Sequence, residues 1–115
     1  MRKFAAPVMG IALIVLGATA DMSGTWALDA SSDDPSLGGG EADCTFKQSG
    51  EHLTGDCSGT ALTGEVTGQH VRWQLQVGRP PQTTIYTGTV DHSGTKIEGT
   101  FTLAGKAGHF TALKQ

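Results

Sequence analysis

Charge is scarce in this chain and never collects. Eleven acidic and eight basic residues are scattered over 115 positions, for a net charge of −3. No basic stripe runs along any segment, which argues against nucleic acid as a partner. No block of like charge suggests a helix lying on a membrane surface. Also missing is any long segment with a 3.6-residue apolar period, so a helical fold is not expected. No serine sits in a nucleophile-elbow context, and no glycine loop precedes a helix to cradle phosphate. Catalysis is therefore not expected, and neither is a cofactor.

Metal sites find equally little to build on. Of the four histidines, His52 and His70 flank Thr67 on one inferred face, without a third ligand converging on them. Asp29, Asp33, Asp34, Glu41 and Asp43 bracket a stretch without periodicity, but their spacing fits no calcium-loop motif. A solvated loop is the simpler reading. Only two cysteines occur, Cys44 and Cys57, and neither follows the N-terminal apolar stretch in the way a lipoprotein anchor requires.

That apolar stretch belongs to an export signal. Arg2 and Lys3 supply a positive start, an apolar run follows to Gly17, and Ala18-Thr19-Ala20 forms an A-x-A cleavage site. The run is short for a transmembrane anchor, and the cleavage site favours removal over retention. Residues 1–20 are read as a signal peptide and residues 21–115 as one domain, periplasmic or secreted, where a disulfide persists.

What the mature chain has in abundance is glycine at turn spacing. Gly50, Gly59 and Gly68 fall nine residues apart, each opening a stretch of alternating character. Glycine at the first central position suits a two-residue type II′ hairpin turn. A Gly50-Glu51 loop pairs Phe46 with Gly55 and puts Cys44 opposite Cys57, on a non-hydrogen-bonded pair whose Cα atoms lie about 4.5 Å apart. A Gly59-Thr60 loop pairs Cys57 with Leu62 and Gly55 with Gly64. A Gly68-Gln69 loop pairs Val66 with Val71, Gly64 with Trp73 and Leu62 with Leu75. One apolar face results, and a one-residue slip would destroy it.

The pattern extends in both directions. Residues 23–29 read as a first strand with Trp26 and Leu28 on one face, followed by a long loop over residues 30–41. After the Pro80-Pro81 break, Thr84, Tyr86, Gly88 and Val90 alternate. A Ser93-Gly94 turn pairs Val90 with Ile97, Gly88 with Gly99 and Tyr86 with Phe101. A Gly105-Lys106 turn then pairs Phe101 with Phe110. Across these hairpins Glu65 faces Arg72 and Asp91 faces Lys96 as surface ion pairs.

Eight strands in sequence order, each apolar on one face, bury that face by closing into an all-β, antiparallel up-and-down barrel. An open two-layer meander is the alternative. One inward layer runs Phe46, Gly55, Gly64, Trp73, Gly88, Gly99 and Ala112. Either the glycines permit tight coiling while the aromatics fill the space, or they floor a pocket. The candidate ligand-binding residues for such a pocket are Phe46, Trp73, Tyr86, Phe101 and Phe110.

The order of parts resembles the lipocalin and calycin group of eight-stranded barrels: Gly24-Thr25-Trp26 as the G-x-W on the first strand, a long first loop, then short hairpins. The resemblance implies that Lys114 packs its cation over Trp26. Avidin-like barrels share the G-x-W, but Ala27, Leu28 and Asp29 stand where biotin-holding polar residues are needed. Periplasmic inhibitors of secreted metalloproteases are similar in the S-G-x-W-x-L start, here Ser23 to Leu28, and in having one disulfide. Only Asp21 and Met22 precede that motif to serve as an inhibitory arm. The expected function is an exported, non-catalytic barrel that binds a small apolar ligand at its open end. The alternative is a protein–protein module of the protease-inhibitor kind, acting on an envelope or secreted protein.

Overall fold

The computed structural model describes residues 19–34, 37 and 39–115; of the expected leader, residues 1–18 lie outside the described residues. Eight strands follow one another: β1 (Gly24–Ser31), β2 (Gly40–Ser49), β3 (His52–Cys57), β4 (Thr60–Thr67), β5 (His70–Val77), β6 (Gln82–Val90), β7 (Lys96–Leu103) and β8 (Lys106–Lys114). Each pairs antiparallel with the next, and β8 returns to β1 to close the barrel. No helix of the described residues is long and apolar enough to cross a membrane.

The period-2 pattern dictates this result. In β5, Val71, Trp73 and Leu75 are buried while His70, Arg72 and Gln76 are exposed. The same alternation in all eight strands sends one set of side chains inward, which closure alone can bury from both edges. The first loop is shorter than its composition suggests. Asp29 pairs with Glu41 and Ala30 with Gly40, leaving residues 32–39 as the connection.

Five of the seven hairpin and loop registers were inferable, and three hold as inferred: Cys44 opposite Cys57, Gly64 opposite Trp73, and Gly88 opposite Gly99. Two differ. At the β3–β4 turn Cys57 pairs with Thr60 and Gly55 with Leu62, so the loop is Ser58-Gly59. At the β7–β8 turn Leu103 pairs with Lys106 and Gly99 with Phe110, so the loop is Ala104-Gly105. Both central residues have positive φ in each case: 48° at Ser58 and 90° at Gly59, 53° at Ala104 and 78° at Gly105. That is the type I′ pattern, with glycine second rather than first. The Asp56 carboxylate fixes the first of these turns by accepting the Gly59 N–H at 3.0 Å. Each partner moves by two residues, so every side chain keeps its face. The single glycine-and-aromatic layer is thereby broken into a stepped arrangement.

The end of the barrel away from the first loop is sealed. Met22 is fully buried beneath it, its N–H bound to Gln48 Oε1 at 2.7 Å and its carbonyl accepting Trp26 Nε1–H at 2.9 Å. Gln48 Nε2 also donates to the Ala20 carbonyl at 3.0 Å, and the Ala20 N–H reaches the Gly68 carbonyl at 2.8 Å, contacts that cleavage after Ala20 would remove while the Met22 bonds remain. Lys114 places Nζ 5.8 Å from the Trp26 ring centroid, the cation-over-tryptophan arrangement that joins β8 to β1.

Candidate functional site

The middle of the barrel is a packed aromatic cluster. Trp73 on β5 stacks on Tyr86 on β6, with Phe46 and Phe110 edge-on to Trp73 at 5.0 and 5.4 Å. Tyr86 in turn stacks on Phe101 at 5.6 Å and meets Phe110 edge-on at 5.3 Å. Offset and edge-to-face contacts of this kind contribute about 0.5–1.5 kcal/mol each beyond burial. All five candidate residues thus come together, though chiefly against one another.

Inward glycines make that packing possible. A Cβ on Gly108 would lie 2.6 Å from the Phe101 ring, and one on Gly99 would lie 2.6 Å from the Gly88 Cα. The space denied to side chains at these positions is taken by rings and by close strand approach.

A cavity of about 240 Å³ remains at the open end, above the cluster. Tyr86 and Phe101 form its floor; Leu28, Val77 and Leu103 form its walls, and Leu37 reaches in from the first loop. Of the five candidates, Tyr86 and Phe101 line this cavity, whereas Phe46, Trp73 and Phe110 lie in the packed cluster below. The first loop is tied down beside it. Lys106 Nζ pairs with Asp34 Oδ2 at 3.2 Å, and Ser32 Oγ donates to the Ala107 carbonyl at 3.2 Å.

Thr84, on the inward face by alternation, lines the cavity although it is not among the five candidate residues. It is 4% exposed, and its Oγ1 has no hydrogen-bond partner. An unpaired buried hydroxyl costs about 1–3 kcal/mol. The signal was present in the sequence: threonine occupies an inward position in an otherwise apolar alternation. Trp73 Nε1 is the other buried side-chain polar atom without a partner among the described residues. Burial also pushes the Tyr86 phenol above its ordinary pKa, keeping it neutral. Glu41, on the rim, is the one charged residue among those described that line the cavity.

The outer surface offers less. The four histidines are exposed, and no group of three or more His, Cys, Asp or Glu among the described residues could hold a metal ion. Glu65 and Arg72 approach to 3.5 Å as inferred. Lys96 pairs with Glu98 at 3.5 Å instead of Asp91, because Asp91 is occupied within its own turn: its Oδ1 accepts the Thr95 N–H at 3.1 Å and the Ser93 hydroxyl at 2.9 Å. A shallow groove of about 310 Å³ runs over β1, β2 and β8, where Asp29, Glu41 and Asp43 surround Ala27 and Leu113. Leu113 is 50% exposed.

Cys44 and Cys57 are bridged, with Cα atoms 4.0 Å apart, which points to an oxidising, extracytoplasmic setting. Compared with known protein families and with curated proteins, the chain matches none of them.

Proposed function

We propose that this barrel is an exported binding protein that takes a small, mostly apolar molecule into the cavity at its open end. The observation that carries this reading is the asymmetry of the two ends. One is sealed by Met22 and its hydrogen bonds; the other holds an apolar cavity floored by Tyr86 and Phe101. At about 240 Å³ the space falls below the roughly 300–1,000 Å³ of drug-sized pockets, so the ligand is compact. The closed eight-strand order, the G-x-W start and Lys114 over Trp26 support a lipocalin-like barrel. The Cys44–Cys57 bridge and the signal-like residues 1–20 support export to a periplasm or the medium.

Tryptophan fluorescence tests the reading. In a Trp26→Phe variant the remaining indole, Trp73, stacks directly on the cavity floor at Tyr86. Titration with small environment-sensitive aromatic dyes is expected to give a saturable change. A flat response across the dyes refutes the proposal. A second reading, a protein–protein module, draws on the outer groove with its exposed Leu113 and three carboxylates. It predicts that Leu113→Asp abolishes capture of an envelope partner while leaving dye binding intact.

A further inference from the structure

We infer that the cavity at the open end selects an uncharged molecule carrying one carbonyl or hydroxyl oxygen, with Thr84 as the residue that recognises that oxygen. The inference rests on the cavity being a binding site, as proposed above, and specifies what chemistry it accepts.

Three observations lead there. The floor is aromatic: Tyr86 is stacked between Trp73 and Phe101, its plane 10° and 29° from theirs, so ring edges rather than faces line the cavity. Thr84 sits beside Tyr86 in the lining, 4% exposed, with a hydroxyl that meets no protein partner. Buried hydroxyls are ordinarily paired, and an unpaired one gains when a ligand supplies the missing partner. The Oγ1 atom is itself fully buried. A change of χ1 between staggered wells is the movement by which this hydroxyl would meet a ligand.

The third observation is electrostatic. No lysine, arginine or histidine is among the described residues lining the cavity, and Glu41, the one charged residue there, is exposed and alternates with the inward Ala42. A carboxylate ligand would enter this space without a counterion. Desolvating an unpaired anion is far more costly than desolvating a neutral ketone or alcohol. Fatty-acid anions are therefore rejected, although their chains would suit the apolar walls.

A matched set of probes tests this: naphthalene, methyl naphthyl ketone and naphthoate, followed by calorimetry on the full barrel and by Trp73 fluorescence in the Trp26→Phe background. The ketone is expected to bind at least about tenfold more tightly than naphthoate. Thr84→Val should weaken the ketone about tenfold and leave naphthalene unchanged, since only the hydroxyl is removed. The same variant should melt no lower than the wild type, because it deletes an unpaired buried polar atom. If naphthoate binds as well as the ketone, or if Thr84→Val weakens all three probes alike, the inference is overturned while the binding site stands. If no probe binds, naphthalene included, the binding site itself is refuted and the inference falls with it.

Discussion

Trp73 stacks on Tyr86 with ring centroids 5.1 Å apart and planes 10° from parallel, directly across the β5–β6 pair. The two rings are the hub of the interior, since every other aromatic contact in the cluster touches one of them. Tyr86 also floors the cavity, so the packing of the core and the shape of the site share a residue.

Tyr86 is the one tyrosine in the chain, so phenolate absorbance reports this position alone. Burial raises its pKa above the ordinary tyrosine value of about 10. A group whose pKa is raised on folding contributes stability that is whole below the unfolded value and is lost as pH rises through the folded one. Titration should therefore show the phenolate appearing later than in free tyrosine. The melting temperature should begin to fall above about pH 10. Tyr86→Phe should remove that alkaline loss. A free-tyrosine titration curve in the folded protein would contradict the buried stacking.

Gly108→Ala adds a methyl group where the Phe101 ring lies 2.6 Å away and the Ser31 carbonyl oxygen is equally near. Backbone on one side and a packed ring on the other leave little room to yield. Denaturant unfolding should show a loss of about 1–3 kcal/mol. Thr102→Ala, exposed on the outer face of the same hairpin, should stay within about 0.5 kcal/mol of wild type.

Replacing Cys44 and Cys57 together by serine should lower stability by about 2–3 kcal/mol, the loop-closure value for a short crosslinked loop. The barrel should persist, because Phe46, Leu53, Val66 and Trp73 remain buried around it. Non-reducing mass mapping should find one intramolecular bridge. Two free thiols, or a disulfide-linked dimer, would overturn the β2–β3 register.

Asp91 gives the acid counterpart. Desolvation pulls its carboxyl upward, but the Ser93 hydroxyl and the Thr95, Lys96 and Gly94 amides outweigh it and hold the pKa below the ordinary value. A depressed pKa contributes stability above the unfolded value and loses it as pH falls through the folded one. Hydrogen exchange in the β6–β7 turn should quicken below about pH 4. Asp91→Asn should abolish that pH dependence.

The β2–β3 register was legible because it carries a marker: only a Gly50-Glu51 loop puts Cys44 opposite Cys57. The β3–β4 and β7–β8 hairpins carry none. Moving the loop one residue back, to Ser58-Gly59 or Ala104-Gly105, keeps every apolar residue inward, so burial could not choose between type II′ and type I′ turns. Side-chain detail decided the first of them, through the Asp56 bond to the Gly59 amide. The aromatic set was legible from alternation; its division between floor and filled core was not. That division depends on which strands approach closely at glycine, as β6 and β7 do at Gly88 and Gly99. The seal at Met22 lies before the first strand, where no period-2 pattern exists to reveal it.

Closure of β8 onto β1 has a consequence for any macromolecule that meets this barrel. A sheet edge is a template: its unpaired amides and carbonyls invite a visiting segment to extend the ladder by strand addition. Here Leu28 pairs with Ala112 on one side and Ala42 on the other, and each strand is likewise flanked by two neighbours. The backbone is thus already spent on internal pairing. A protein partner has to be recognised through side chains, at the Leu113 groove or at the loops of the open end, and its affinity will track substitutions there.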